Sequence, residues 1–230
     1  MKRIITASSL LVSSLLSLMT PAQVQSAEVD LSDFDAYIMD EMVEVDEEVR
    51  KGLQVDVTDL QLVTDYNVRF IAADEGAGYQ NRVELNIRDE SGAVTDNSVL
   101  FYNFSCMSTD CVMPNLDITG GFMPGDSVSV QAYAGDILDP TLIINGGINP
   151  SATDFWSTQT QLNADRQQHV LAWVHDDCSS VNIIGKCLVL GFEDLPSWAP
   201  NSDNDFNDNV IIADVGQENI QSFIPVIYAD

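Results

Sequence analysis

From residue 53 onward, apolar and polar positions alternate in short segments separated by Gly, Pro, Asn and Asp. The segments "YNVRFIAAD", "RVELNIRD", "SVLFYNF", "DSVSVQAYA", "PTLIING", "HVLAWVH", "KCLVLGF", "NVIIADV" and "FIPVIYA" each place β-branched or aromatic residues at alternate positions, the period of a strand with one buried face. "RDESGAV" has the turn chemistry of a hairpin around Ser91 and Gly92. Eight or nine short strands without regularly interleaved helices predict an all-β fold, an antiparallel β-sandwich or jelly-roll-like architecture. Residues 28–52 differ. Phe34, Ile38, Met42, Val45 and Val49 recur at steps of four and three, which predicts one amphipathic helix. Ser32 with Asp35 resembles its capping box, and Arg50, Lys51 and Gly52 supply a basic last turn and a stop.

The first residues read as an address. Lys2 and Arg3 precede an apolar, Ser-diluted run from Ile4 to Met19, with small residues near Ser26 and Ala27, the pattern of a secretory signal peptide cleaved at that point. The expected organisation is therefore a leader over 1–27, an acidic helical segment over 28–52 and one β-domain over 53–230. No second apolar span follows, so no membrane span is expected after cleavage and the protein is expected to be secreted, periplasmic or extracellular. The chain carries 36 acidic against 9 basic residues, a formal charge of −27, and loss of Lys2 and Arg3 makes it more negative still. That excludes nucleic acid and anionic membrane surfaces as direct partners, both of which need a basic footprint; it favours cations, saline surroundings or both.

All four cysteines, Cys106, Cys111, Cys178 and Cys187, lie in the exported part, where an oxidising compartment favours disulfides. Three pairings are possible. The local ones, Cys106 with Cys111 and Cys178 with Cys187, are expected because each pair brackets a short polar segment. Zinc is disfavoured, because neither pair has the two-residue spacing of a zinc knuckle.

Candidate chemistry concentrates in "GFEDLPSWAPNSDNDFNDNVIIADV". Between two strand-like runs lie Glu193, Asp194, Asp203, Asp205, Asn207 and Asp208, with no Lys or Arg among them. In extended backbone Asp203, Asp205 and Asn207 would share one face while Phe206 points to the core. Six hard oxygen ligands suit calcium, which takes six to eight; magnesium keeps more water, and zinc wants His or Cys. The loop is not an EF-hand, since Asp208 stands where that motif needs Gly and a strand follows where it needs a helix. A surface turn whose Asx side chains cap their own backbone is the plainer alternative.

"LGFEDLPSWAPNSDNDFNDNVI" resembles the C-terminal signature of the bacterial family called domain of unknown function 4114, and of the related LruC-type domains. "GAGYQNRVEL" from Gly76 to Leu85 is similar to their early Gly-Tyr-x-Asn segment, "MPGDSVSV" to their central Gly-Asp turn and "QQHVLAW" to their His-bearing strand, so the resemblance runs from about Asn67 to Val215. It implies a β-rich module of secreted or surface-attached proteins, often within adhesin-like chains, with calcium held by Glu193, Asp194, Asp203, Asp205, Asn207 and Asp208. The insert "PSWAPNS" and Arg82 depart from the pattern; the insert alters loop geometry but leaves the ligand types intact.

Other candidates are weaker. His169 and His175, near Asp176 and Asp177, could frame a second metal site, although a hydrogen-bonded structural histidine is the commoner case. Asn81 could lend an amide to the main site or simply form a turn. Trp173 reads as core, while Trp156 and Trp198 could pack or could be exposed platforms for a sugar ring. No Gly-x-Ser-x-Gly elbow, His-Glu-x-x-His or phosphate-cradling loop occurs, so no enzyme activity is expected. The expected role is a secreted calcium-binding module of extracellular binding or adhesion with a glycan or protein partner. The alternatives are a purely structural surface or matrix protein and a carbohydrate-active enzyme.

Overall fold

The computed structural model describes residues 29–34, 54–104, 122–196, 198–202 and 204–225. Among the described residues nine strands form two antiparallel sheets. They are β1 (Tyr66–Glu75), β2 (Arg82–Arg88), β3 (Val94–Phe101), β4 (Ser127–Ala132), β5 (Ile137–Ile143), β6 (Phe155–Ser157), β7 (Val170–His175), β8 (Cys187–Phe192) and β9 (Asn209–Asp214). One sheet has the order β4-β1-β9-β8-β7 and the other β3-β2-β5-β6. Between them lies a core to which even-numbered β1 residues (Val68, Phe70, Ala72) and odd-numbered β2 residues (Val83, Leu85, Ile87) contribute alternate positions, as strand periodicity requires. The fold is an antiparallel β-sandwich.

The strands β8 and β9 of the five-stranded sheet are buried on both faces. Leu188, Leu190 and Phe192 of β8 face the inter-sheet core. Cys187 and Val189 join Ile71, Ile212 and Trp173 in a second cluster on the opposite face, covered by Phe34, Val181 and Ile183. Burial on both faces explains why "KCLVLGF" and "NVIIADV" read as near-continuous apolar runs. The Cys178–Cys187 disulfide pins this cover to the sheet, with Cα atoms 6.0 Å apart and both cysteines fully buried. Replacing both cysteines with Ser should cost about 2–3 kcal/mol on the chain-entropy account, read as a lower urea midpoint with an unchanged slope. Cys106 and Cys111 lie outside the described residues.

The N-terminal helix expected over 28–52 also lies largely outside them. Its described part, residues 29–34, holds a single 3-10 turn, Ser32–Phe34, that inserts Phe34 into the second cluster against His175, with ring centroids 4.8 Å apart. The expected strand "FIPVIYA" lies largely outside the described residues: a short helix, α1 (Gln217–Ser222), precedes it, Phe223 is buried beside α1, and Pro225 makes an isolated bridge to Val55. Buried Asn219 anchors α1 by accepting from the Val63 and Thr64 amides at 2.8 and 2.9 Å and donating to the Val215 carbonyl at 2.7 Å. Strand β6 was hidden inside the polar stretch "DFWSTQT". Its three residues pair with Thr141–Ile143 of β5, too short a run to show alternation.

Candidate metal centre

The site follows from sheet register. Phe192, the last residue of β8, pairs with Asn209, the first of β9. The next residues beyond that pair, Glu193 and Asp194 on one side and Asp208 on the other, are thus delivered to the same end of the sandwich. One carboxylate oxygen from each of the three lies within 4.8 Å of the others. Glu193 and Asp194 are buried and Asp208 half-buried.

The backbone around these acids is held from several directions. The Asp194 N–H donates to Asp208 Oδ2 at 2.6 Å, and the Glu193 N–H continues the ladder to the His169 carbonyl at 3.0 Å. Buried His169 and Trp156 stack, with centroids 3.8 Å apart and planes 6° from parallel. The Trp156 indole N–H donates to the Asp194 carbonyl at 2.9 Å, and His169 Nδ1 faces the Glu193 carbonyl at 3.1 Å. His169 Nε2 meets Asp165 at 3.0 Å. Although burial opposes it, bonds from the Gln167 amide and from His169 hold the Asp165 carboxyl below its ordinary range. His169 is therefore a structural brace, while His175, at the other end of β7, packs against Phe34. Among the described residues the two histidines form no metal cluster with Asp176 and Asp177.

From the other side, the turn after β1 closes on the site. The Gly76 and Ala77 amides donate to the Asp208 carbonyl at 2.9 and 3.1 Å, and the Tyr79 amide to Asp194 Oδ2 at 3.2 Å. Fully buried Asn81 donates to Asp194 Oδ2 at 3.1 Å and accepts the Asn145 amide at 3.3 Å. Its oxygen is turned away, so Asn81 orients a carboxylate instead of offering a ligand oxygen.

Glu75 is a residue that sequence reasoning passed over. It ends β1 opposite Asn209, one position from Asp208, and its Oε2 is buried without a hydrogen-bond partner among the described residues. Burial and the neighbouring charges of Asp74 and Asp194 push its carboxyl up to about 7. The only signal in the sequence was an Asp-Glu pair at a strand end before a Gly-rich turn, which acquires meaning once β1 pairs with β9.

Asp205 is buried, and its charge, with those of Asp194 and Glu193, acts on Asp208. Burial first, then these carboxylates, push Asp208 to about 8 against the opposing bond from the Asp194 amide. Asn207 lies beside the cluster, where its Oδ1 would be 3.6 Å from a Cβ placed on Gly76. Asp203 is outside the described residues. The expected extended loop is corrected: Asn204 and Phe206 have φ of 56° and 62°, so the segment turns instead of alternating. Phe206 still packs, half-buried, against the second cluster, and the Asn207 amide donates to Asp205 at 3.1 Å. Trp173 and Trp156 are core, whereas Trp198 in the insert is 76% exposed.

Three carboxylate oxygens at this spacing fit one oxygen-loving cation. Ligand oxygens bound at about 2.3–2.6 Å to one calcium lie at most about 5 Å apart. The cluster of Glu193, Asp194 and Asp208 can hold a metal ion.

Fold and site together define an acidic two-sheet β-sandwich with a carboxylate cluster at the end of its central strands. Residues 132–215 match the model of the family described as Domain of unknown function (DUF4114). The matched stretch contains Glu193, Asp194, Asp203, Asp205, Asn207 and Asp208, but not Gly76–Leu85. A search of the curated proteins and of the solved structures finds no match to the chain.

Proposed function

We propose that this protein is a secreted calcium-binding module that acts in extracellular binding or adhesion, with calcium tying the β8 end to the loop before β9. The observation that carries this reading is the enforced meeting of Glu193, Asp194 and Asp208, with Asp208 raised to about 8 by burial and by its carboxylate neighbours. Protons partly relieve a repulsion that a divalent cation would relieve better. Calcium is favoured because the donors are carboxylates, with no Cys or His in the cluster. Export is supported by the leader-like N-terminus and by the Cys178–Cys187 disulfide, which suits an oxidising compartment. Among the described residues no helix is long and apolar enough to cross a membrane.

Calorimetric titration tests the metal. Calcium should bind with a defined stoichiometry, and magnesium at the same concentration should give much weaker heats. Absence of binding at millimolar calcium, or equal binding of both ions, would sink the calcium reading. Mass spectrometry of the culture medium should find a chain beginning near Ser26 or Ala27; retention of the intact leader inside cells would refute export.

A further inference from the structure

A cavity of about 410 Å³ opens beside the carboxylate cluster, within the size range of small-ligand sites. Its apolar walls include Tyr79, Phe155, Trp156 and Leu162, and its polar groups are Thr153, Asp154 and Asp194. Tyr79 and Phe155 remain 38% and 36% exposed, so both rings are accessible where a ligand would enter. We propose that this pocket binds a neutral saccharide, and that metal at the neighbouring cluster strengthens the binding.

Three observations select that ligand class. The lining contains no Lys, Arg or His, and both of its ionisable groups that are charged at neutral pH are carboxylates, which repel an anionic ligand. Carboxylates and a hydroxyl beside aromatic rings suit a ligand with many hydroxyl donors and apolar C–H faces, which is the surface of a pyranose. An extended peptide adding to the sheet is disfavoured because the backbone groups of Ser157, at the end of β6, are already paired. The Ser157 amide donates to Asn163 Oδ1 at 2.8 Å, and Asn163 Nδ2 donates back to the Ser157 carbonyl at 3.1 Å. Strand addition needs such backbone groups unpaired.

Coupling to the metal follows from shared residues. Trp156 is a pocket wall, and its indole holds the Asp194 carbonyl. Asp194 lines the pocket and also contributes a carboxylate to the cluster. A cation that fixes Asp194 therefore fixes one side of the pocket, and by linkage a saccharide that favours the same arrangement strengthens cation binding. This coupling rests on the calcium reading above; the pocket itself does not.

The test is an array of neutral, anionic and cationic glycans together with a peptide array, probed with the protein in saturating calcium and in chelator. Melting curves with and without calcium are recorded in parallel. Neutral glycans should be captured, about tenfold more weakly in chelator. Tyr79→Ala and Phe155→Ala should each weaken capture about tenfold with the melting curve unchanged, since both side chains are partly exposed. A calcium-dependent melt without glycan capture, or capture indifferent to both substitutions, overturns the pocket assignment and leaves the calcium reading standing. Capture through Tyr79 and Phe155 that ignores chelator, with a melt that ignores calcium, upholds the pocket and overturns the coupling and the calcium reading. Preferential capture of anionic glycans or peptides overturns the ligand class.

Discussion

Asp208→Asn should abolish the stabilisation of this protein by calcium and reduce the pH dependence of its metal-free melt. In chelator, Asp208 at about 8 and Glu75 at about 7 both titrate above the ordinary carboxylate range. A carboxyl whose folded pKa is raised stabilises the fold fully below its unfolded value, near 4, and that contribution is lost as pH rises through the folded pKa. The metal-free melting temperature should therefore fall between about pH 4 and 8. Calcium should reverse the sign, because it would bind the deprotonated carboxylates. Its stabilising effect should grow over the same interval, with protons released on binding. At free calcium about 1,000-fold above Kd the gain is about 4 kcal/mol, or roughly 8–16 °C for a domain of this size. Asn keeps the acceptor for the Asp194 amide but supplies no charge, so differential scanning across pH with and without calcium isolates the electrostatic part. Wild-type and variant melts that respond alike to calcium would remove Asp208 from the ligand set.

A second large effect is expected far from the carboxylate cluster. Asp139 on β5 is fully buried and satisfied on both oxygens. Arg88 of β2 donates to Oδ2 at 2.7 Å, while Oδ1 accepts the Ser157 and Thr158 hydroxyls at 2.7 Å each and the Thr158 amide at 3.0 Å. This carboxylate joins β2, β5 and the end of β6, whose own pairing with β5 spans only three residues. Asp139→Leu leaves the Arg88 guanidinium, nearly buried itself, without its counter-charge, and should cost about 3–5 kcal/mol. Adding Arg88→Met should recover a large part of that loss, since a buried pair replaced by apolar groups is often nearly neutral. Urea unfolding of the single and double variants measures both. A single variant within 1 kcal/mol of wild type would show that the pair contributes little.

Local pattern carried much of the architecture. Alternation over "YNVRFIAAD", "RVELNIRD" and "HVLAWVH" marked β1, β2 and β7 because each strand carries a periodic apolar face, and the period-two signal survives without tertiary information. The segment "RDESGAV" became the β2–β3 turn, where Asp89 Oδ1 accepts the Ser91 and Ala93 amides at 2.9 and 3.1 Å and Gly92 takes φ 81°. The elements that the sequence pattern does not predict are those with little periodicity of their own: three-residue β6, and α1, whose anchor Asn219 bonds to residues more than 150 positions away.

The amino-acid sequence alone determined that the chain is acidic, built of antiparallel strands, and crowded with hard oxygen donors between two apolar runs. Those are properties of composition and of short-range order. Only the tertiary structure decided which donors meet. β8 and β9 pair so that Glu193, Asp194 and Asp208 leave the sheet together, β1 brings Glu75 beside them, and Asn81 turns its nitrogen toward them and its oxygen away. Strand register and side-chain orientation depend on contacts between residues distant in sequence, over a hundred positions for Glu75 with Asn209 and Asn81 with Asp194, and no local pattern records them.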